Sequence, residues 1–206
     1  MSQIDWLKTI VSLSDELQTE IKTHFFKDDG VRDLRRILEW YFGVFSVLSV
    51  LPTFAAEQVR KQPYKQRDVL ANVFAVCLRA GNREADDFAR LLEHLGIPVI
   101  PFKELDAEMR EILTVSPESW MLISGMFEKA IASLSPDVAK SLMERTGEPR
   151  PEWLKPHMDW EAEYVPRFRK ILGIMRDVFE PREGRMHQAL QRAFQAFLAT
   201  LNNNTA

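Results

Sequence analysis

Residues 37–56 form the most apolar stretch of the chain, and Glu39 is the only charged residue in it. On a helical wheel, its large side chains form one broad apolar arc that includes Tyr41 and Phe45, while Gly43 and Ser46 fall on the opposite side. This pattern predicts a helix that is buried on most sides. Its small residues predict a seam where a neighbouring backbone approaches closely.

Such a stretch is either a membrane span or the central helix of a soluble protein. As a helix, the uncharged run 40–56 would extend roughly 25 Å, less than a hydrocarbon core of about 30 Å. Pro52 lies inside the run and is expected to end or kink the helix after Leu51. Basic pairs flank both ends, so charge asymmetry sets no orientation. We therefore expect a buried central helix and no membrane span.

The composition narrows the class of protein. A chain of 206 residues suits one domain, and a net charge of −3 disfavours nucleic acid as a partner. The single cysteine, Cys77, excludes an internal disulfide, and its apolar surroundings predict an unreactive core residue. The N-terminal residues lack the features of a signal peptide. We expect a cytoplasmic protein.

Apolar residues recur with a period near 3.6 along nearly the whole chain, which predicts an all-α fold. We expect a multi-helix bundle of seven to nine helices around the central apolar helix, with a C-terminal helical hairpin. The sequence predicts a first helix over 3–25 with Ser2 as its cap and, after the central helix, a short polar helix from Pro52 to Lys61. Helices over 66–80 and 83–95 should follow, separated by Gly81 as a left-handed cap. An extended connector over 97–102 and an acidic helix over 103–113 come next.

Two later helices begin with the same pattern. Segments 116–118 and 135–137 read Ser-Pro-Glu and Ser-Pro-Asp. Each predicts a serine cap, a proline at the first helical position and an acid near the positive end of the helix. The second of these helices is expected to stop at Gly147.

Three prolines between residues 148 and 156 predict an extended linker. We therefore predict a helical core over 1–147, a linker over 148–158 and a helical hairpin over 159–206, packed on the core as one globular unit. The hairpin should contain helices over 160–179 and 182–201.

The sequence contains no recognised local motif for catalysis, cofactor binding or metal binding. The chain has no glycine-rich phosphate loop, HExxH, GxSxG or EF-hand spacing. We predict no catalytic, cofactor-binding or metal-binding residue, and no cofactor. Glu39 could act as a buried proton donor, but Arg35 four residues earlier favours an intrahelical ion pair. His24 could be a metal or haem ligand, but its place in the last turn of a helix favours a bond to a free carbonyl.

The C-terminal hairpin combines the predicted tether, a basic excess and a long apolar stripe. That stripe must lie on the bundle, on a second copy of the chain or on a foreign partner, and the bundle is the favoured choice. In each case cationic side chains would rim the contact. The candidate interaction surface consists of Arg167, Arg169, Lys170, Arg176, Arg185, Phe194 and Phe197.

These observations favour a non-enzymatic binding or regulatory protein that acts through protein–protein contacts, with a protein partner or self-association. One alternative is a helical sensor of small apolar molecules with an internal cavity. A dry pocket lined by Phe45, Phe74 or Phe127 would favour it. The other is a helical enzyme without a recognisable local motif.

Overall fold

The computed structural model describes residues 5–27, 30–63, 67–98, 100–147, 160–174 and 176–203, and all structural statements refer to them. The side chains at 76–84, 146, 160–164, 167, 174 and 203 lie outside this description. The helices found are α1 Trp6–Phe25, α2 Leu34–Lys61, α3 Arg67–His94, α4 Lys103–Val115, α5 Trp120–Ala132, α6 Ser135–Thr146, α7 Trp160–Ile174, α8 Arg176–Phe179 and α9 Glu183–Asn203. Short 3-10 turns occupy Pro117–Ser119 and Glu180–Arg182. The predicted all-α bundle with a central apolar helix and a C-terminal hairpin is confirmed.

Helix α2 is the centre of the bundle, where α3 packs along it and α4, α5 and α9 also contact it. The predicted end at Pro52 is wrong, because α2 continues through this proline to Lys61. An interior proline removes a backbone hydrogen bond and costs about 3 kcal/mol. Complete burial of Leu51, Ala55 and Val59 on either side of Pro52 offsets that cost.

Helix α3 is also longer than expected, since it runs without a break through Gly81. The helices predicted over 66–80 and 83–95 have apolar stripes that continue each other on the same side of one helix. Leu70 and Phe88 lie five turns apart, about 18 residues, and therefore face the same side. Both are fully buried. An interior glycine costs only about 1 kcal/mol relative to alanine, so packing on α2 decides the outcome.

The end of α3 at Gly96 was predicted correctly. Gly96 has a φ of +64°, and its N–H bonds to the Glu93 carbonyl at 3.0 Å, while the Ile97 N–H bonds to the Leu92 carbonyl at 2.8 Å. This pair of bonds is a Schellman motif, which satisfies carbonyls at a helix end.

Three predicted caps differ from those observed. Helix α1 begins at Trp6 and is capped by Asp5, whose carboxylate accepts a bond from the Lys8 N–H at 3.2 Å; Ser2 lies outside the described residues. The Ser135 hydroxyl donates back to the Ile131 carbonyl at 2.8 Å and does not accept from an N–H of its own helix. The Ser116 hydroxyl bonds to other side chains instead of capping.

After α1 the chain forms a two-residue antiparallel pair, Phe26–Lys27 (β1) with Gly30–Val31 (β2). Strands this short leave no period-2 pattern in a sequence, so the sequence does not predict them. Gly30 has a φ of +122°, which favours glycine.

The predicted seam on α2 lies at Gly43, beneath the connector that joins α3 to α4. A Cβ atom at Gly43 would lie 2.7 Å from Cε2 of Phe102 and 3.1 Å from the Ile100 carbonyl oxygen. Glycine therefore lets the connector cross close to α2. The described connector residues, 97–98 and 100–102, have no regular secondary structure, as expected.

The apolar stripe of α9 lies against the bundle itself. Leu190 and Phe197 are fully buried, and the Phe197 ring lies 5.5 Å from that of Phe127 on α5. The indole N–H of Trp40 on α2 donates to the Thr200 hydroxyl at 2.8 Å. The linker over 148–158 lies outside the described residues, so the three-part division of the chain stays a prediction.

Helix α2 is long and apolar enough to cross a membrane by length and composition, and 72% of its apolar window is buried inside the chain. A mostly buried core helix passes the same test. The absence of a membrane span stays a prediction.

We expect Gly43→Ala to destabilise the fold by about 1–2 kcal/mol, because the added Cβ overpacks the contact with Phe102 and the Ile100 carbonyl. The matched control is Gly173→Ala on α7, where the space around the new Cβ is open. Urea unfolding of both variants measures the difference. A Gly43→Ala variant as stable as the control would show that the connector does not cross α2 closely.

We expect a double-mutant cycle of Trp40→Phe and Thr200→Val to give a coupling energy of about 1 kcal/mol. Thr200→Val leaves the buried indole N–H of Trp40 without its acceptor, whereas after Trp40→Phe the Thr200 hydroxyl still donates to the Phe197 carbonyl at 2.6 Å. The double change removes the interaction between the two side chains. Chemical denaturation of the four proteins measures the cycle. Purely additive losses would contradict the bond between α2 and α9.

Candidate functional site

The residues of the predicted interaction surface fall into two groups. Arg169 and Lys170 on α7 and Arg176 on α8 are exposed; the Arg167 side chain lies outside the described residues. Phe194 and Phe197 are buried, with exposures of 5% and 0%. An interaction surface on the hairpin would therefore consist of its cationic side chains, since the two aromatic rings already pack within the chain.

Arg185 does not lie with the exposed cations of α7 and α8. Its side chain is 37% exposed, and its Nη2 donates to Glu118 Oε1 at 2.9 Å. Glu118, in the 3-10 turn before α5, is fully buried. The Ser116 hydroxyl lies 3.1 Å from the same carboxylate oxygen and 2.7 Å from the Ser119 hydroxyl. A carboxylate without solvent thus has a guanidinium and a hydroxyl as partners, as buried charges require.

Sequence reasoning missed this cluster. The sequence predicted Glu118 only as an acid near the positive end of a helix, with no partner elsewhere in the chain. The signal that could have found it is the strongly apolar α5 that follows directly, since a turn between buried helices is itself buried.

Arg192 makes a second contact between α9 and the N-terminal half of the chain. Its Nε donates to Glu108 at 2.9 Å and its Nη2 to Glu111 at 3.0 Å, both on α4. The hydrogen bonds to Glu111 and then Glu108 raise the pKa of Arg192 above its ordinary value. Arg192 is 44% exposed, so solvent screens these pairs and they contribute little stability.

Arg185 also lines a surface cleft between the end of α2 and the start of α9. The cleft has a volume of about 560 Å³. It is lined by Gln62, Pro63, Pro181, Arg182, Gly184 and Arg185. The Val178 carbonyl orients the Arg182 guanidinium through a bond of 2.7 Å. This lining is polar and cationic.

Some buried side-chain nitrogen atoms of the described residues lack a hydrogen-bond partner. Within the described part of the chain, three buried nitrogen atoms have no hydrogen-bond partner: Trp120 Nε1, Arg185 Nε and His187 Nδ1. Buried polar atoms are satisfied in the great majority of cases. Arg185 therefore combines a paired terminal nitrogen with an unpaired Nε.

The other candidate residues have structural partners. The carboxylate of Glu39 accepts from Arg35 Nε at 2.8 Å, which confirms the predicted ion pair. His24 Nδ1 lies 2.8 Å from the Glu20 carbonyl, so the ring has a backbone partner, but this carbonyl lies one turn earlier in α1 and is not one of the free carbonyls at the helix end that the prediction named. The Cys77 side chain lies outside the described residues, so its low reactivity stays a prediction. Across the described ranges, no group of three or more His, Cys, Asp or Glu side chains could hold a metal ion.

Aromatic rings fill much of the bundle interior. Phe127 lies 5.7 Å from Tyr41, and Phe74 lies 5.6 Å from Trp120, measured between ring centroids. The apolar pocket beneath α5 and α6, lined by residues such as Ile37, Leu134 and Val138, has a volume of only about 20 Å³. That space is close to the size of one water molecule.

Comparison of the chain with protein-family models, with curated proteins and with solved structures finds no match.

We expect Arg185→Met to cost about 3 kcal/mol, because it leaves the Glu118 carboxylate buried without its cationic partner. Arg192→Met is the matched control. It removes two ion pairs instead of one, but exposed pairs are worth about 0–1 kcal/mol. Urea unfolding at neutral pH measures both variants. Equal losses would contradict the assignment of Glu118 as a buried charge.

Proposed function

We propose that this protein is a non-enzymatic binding module that acts through protein–protein contacts. Its docking surface is the outward face of α7 and α8, formed by Arg169, Lys170 and Arg176 and called here the cationic face. The partner is an acidic segment of another protein.

The observation that carries the proposal is the exposure of Arg169 and Lys170 on α7. No hydrogen bond or ion pair among the described residues engages Arg169 or Lys170, and both side chains are exposed. By contrast, Arg185 and Arg192 on α9 are bound to acids of the bundle. The hairpin thus uses the cations of one helix internally and presents those of the other to solvent.

The attachment of α7 leaves this face outward. Phe168 is 1% exposed and anchors α7, which contacts α5. Arg169 and Lys170 follow Phe168 directly and turn away from it at about 100° per residue. On α8, Arg176 lies 3.8 Å from Glu180 and Asp177 is also exposed. Among the described side chains of α7 and α8, Arg169 and Lys170 are therefore the cations without an ion pair to a described acid.

Exposed charges of this kind steer association and select partners more than they add affinity. An acidic segment could bind Arg169 and Lys170 without first breaking an ion pair among the described residues. Among the described residues, the apolar pocket beneath α5 and α6 has a volume of only about 20 Å³, which favours a surface function over the sensor alternative. For the enzyme alternative, the described residues offer no observation that favours a particular reaction.

The test measures binding of a fluorescein-labelled, glutamate-rich peptide to the full chain by fluorescence anisotropy. In the first variant, Arg169, Lys170 and Arg176 are all changed to Glu. In the control, Lys8, Lys22 and Arg90, which are exposed on α1 and α3, are changed to Glu. Both variants alter the net charge equally.

We expect the peptide to bind saturably to the wild type and to the control, with an affinity that falls as the salt concentration rises. The affinity of the first variant should be lower by about tenfold or more. A natural partner captured from source cells should show the same dependence on the two variants. Equal weakening by both variants would reduce the effect to net charge, and no binding by wild type would contradict the proposal.

A further inference from the structure

Two residues beside the cations of α7 indicate the conformation of a partner on the cationic face. We propose that the acidic segment binds in an extended conformation. Its backbone crosses Pro166 and Gly173, and two consecutive acidic side chains bind Arg169 and Lys170. This inference rests on the proposed function, because it specifies the partner of the same face.

The two exposed cations of α7 have no acidic neighbour on their own helix. Residues three or four positions apart are neighbours on a helix surface, and none of these positions around Arg169 and Lys170 is acidic. On α2, α4 and α6, by contrast, a cation pairs with an acid four residues away, at 2.8, 2.9 and 4.0 Å. An acid from another chain therefore meets no such competition at Arg169 and Lys170.

Pro166 and Gly173 occupy the helix positions that are neighbours of both cations. Pro166 precedes Arg169 by three residues and Lys170 by four. Gly173 follows the same two residues by four and three positions. Both are exposed, and neither carries a long or polar side chain. The surface between the two cations is therefore low and open.

The described residues give no packing reason for a glycine at position 173. At Gly43 an added Cβ would lie 2.7 Å from Phe102, whereas at Gly173 it would meet no atom within 4 Å. Gly173 has no positive φ, so it is not required as a left-handed cap. Glycine and proline both destabilise a helix interior, yet α7 has one of each on the same exposed face. A glycine there suits the close approach of a second backbone.

The positions of these four residues favour an extended partner over a helical one. Pro166 and Gly173 are about 10 Å apart along the helix axis. Arg169 and Lys170 lie between them and point about 100° apart, one to each side of the line that joins them. Consecutive side chains of an extended segment also point to opposite sides, at a rise of about 3.3 Å. Two consecutive carboxylates can therefore each meet one cation, whereas a helix would present acids three or four positions apart.

The glutamate-rich peptide and fluorescence anisotropy also test the role of Gly173. In Gly173→Leu a side chain fills the surface between the two cations while the net charge stays the same. Leucine favours a helix more than glycine does, so the variant should fold. The matched control is Gly184→Leu on α9, another helical glycine with open space around its Cβ. We expect Gly173→Leu to weaken binding by about tenfold or more, and the control to change it by less than about twofold.

A second test compares two labelled peptides of equal composition on the wild-type full chain. One peptide carries its glutamates in consecutive pairs, and in the other each glutamate lies four positions from the next. We expect the paired peptide to bind more tightly by about threefold or more, because adjacent carboxylates of an extended chain reach both cations.

Two results would overturn this inference alone. In one, charge reversal at Arg169, Lys170 and Arg176 weakens binding but Gly173→Leu does not. In the other, the peptide with spaced glutamates binds as tightly as the paired peptide or more tightly. In both cases the cationic face still binds an acidic partner. No binding of any peptide to the wild type would contradict the proposed function as well.

Discussion

The fold depends on a chain of aromatic contacts that starts on α2. Trp40 and Tyr41 both lie against Phe127 of α5, at centroid distances of 6.1 and 5.7 Å, and Phe127 lies 5.5 Å from Phe197 of α9. Such pairs contribute about 0.5–1.5 kcal/mol each beyond the area they bury. Three helices far apart in sequence therefore share one core, and α9 completes it instead of offering its apolar stripe to a partner.

Charged contacts fix how α9 is seated on this core. Arg185 and Arg192 lie two helical turns apart and so point to the same side of α9, where they meet acids from α4 and from the turn before α5. A rotation of α9 would leave the buried Glu118 without its cationic partner, and this costs far more stability than the loss of an exposed ion pair. The aromatic contacts thus join α9 to the core, and the pair of Glu118 with Arg185 fixes the rotation of α9 about its axis.

Local patterns in the sequence predicted part of this structure. Helical periodicity predicted the all-α bundle, the burial of residues 37–51 and the seam at Gly43, because each depends on neighbours within a turn or two. The breaks at Pro52 and Gly81 were wrong, since packing of α2 on α3 outweighs local helix preference. The pairing of Glu118 with Arg185 spans 67 positions in the chain and has no local signature. The cleft was missed for the same reason.

The central claim is that α9 is part of the core built on α2. Hydrogen–deuterium exchange of the full chain tests this claim most directly. Amides of the buried parts of α2 and α9 should exchange only through global unfolding, with the same free energy of opening and the same dependence on denaturant. Exchange in α7, which has one fully buried anchor in its described part, should be faster. An α9 that exchanges like a detached helix while α2 stays protected would contradict the account.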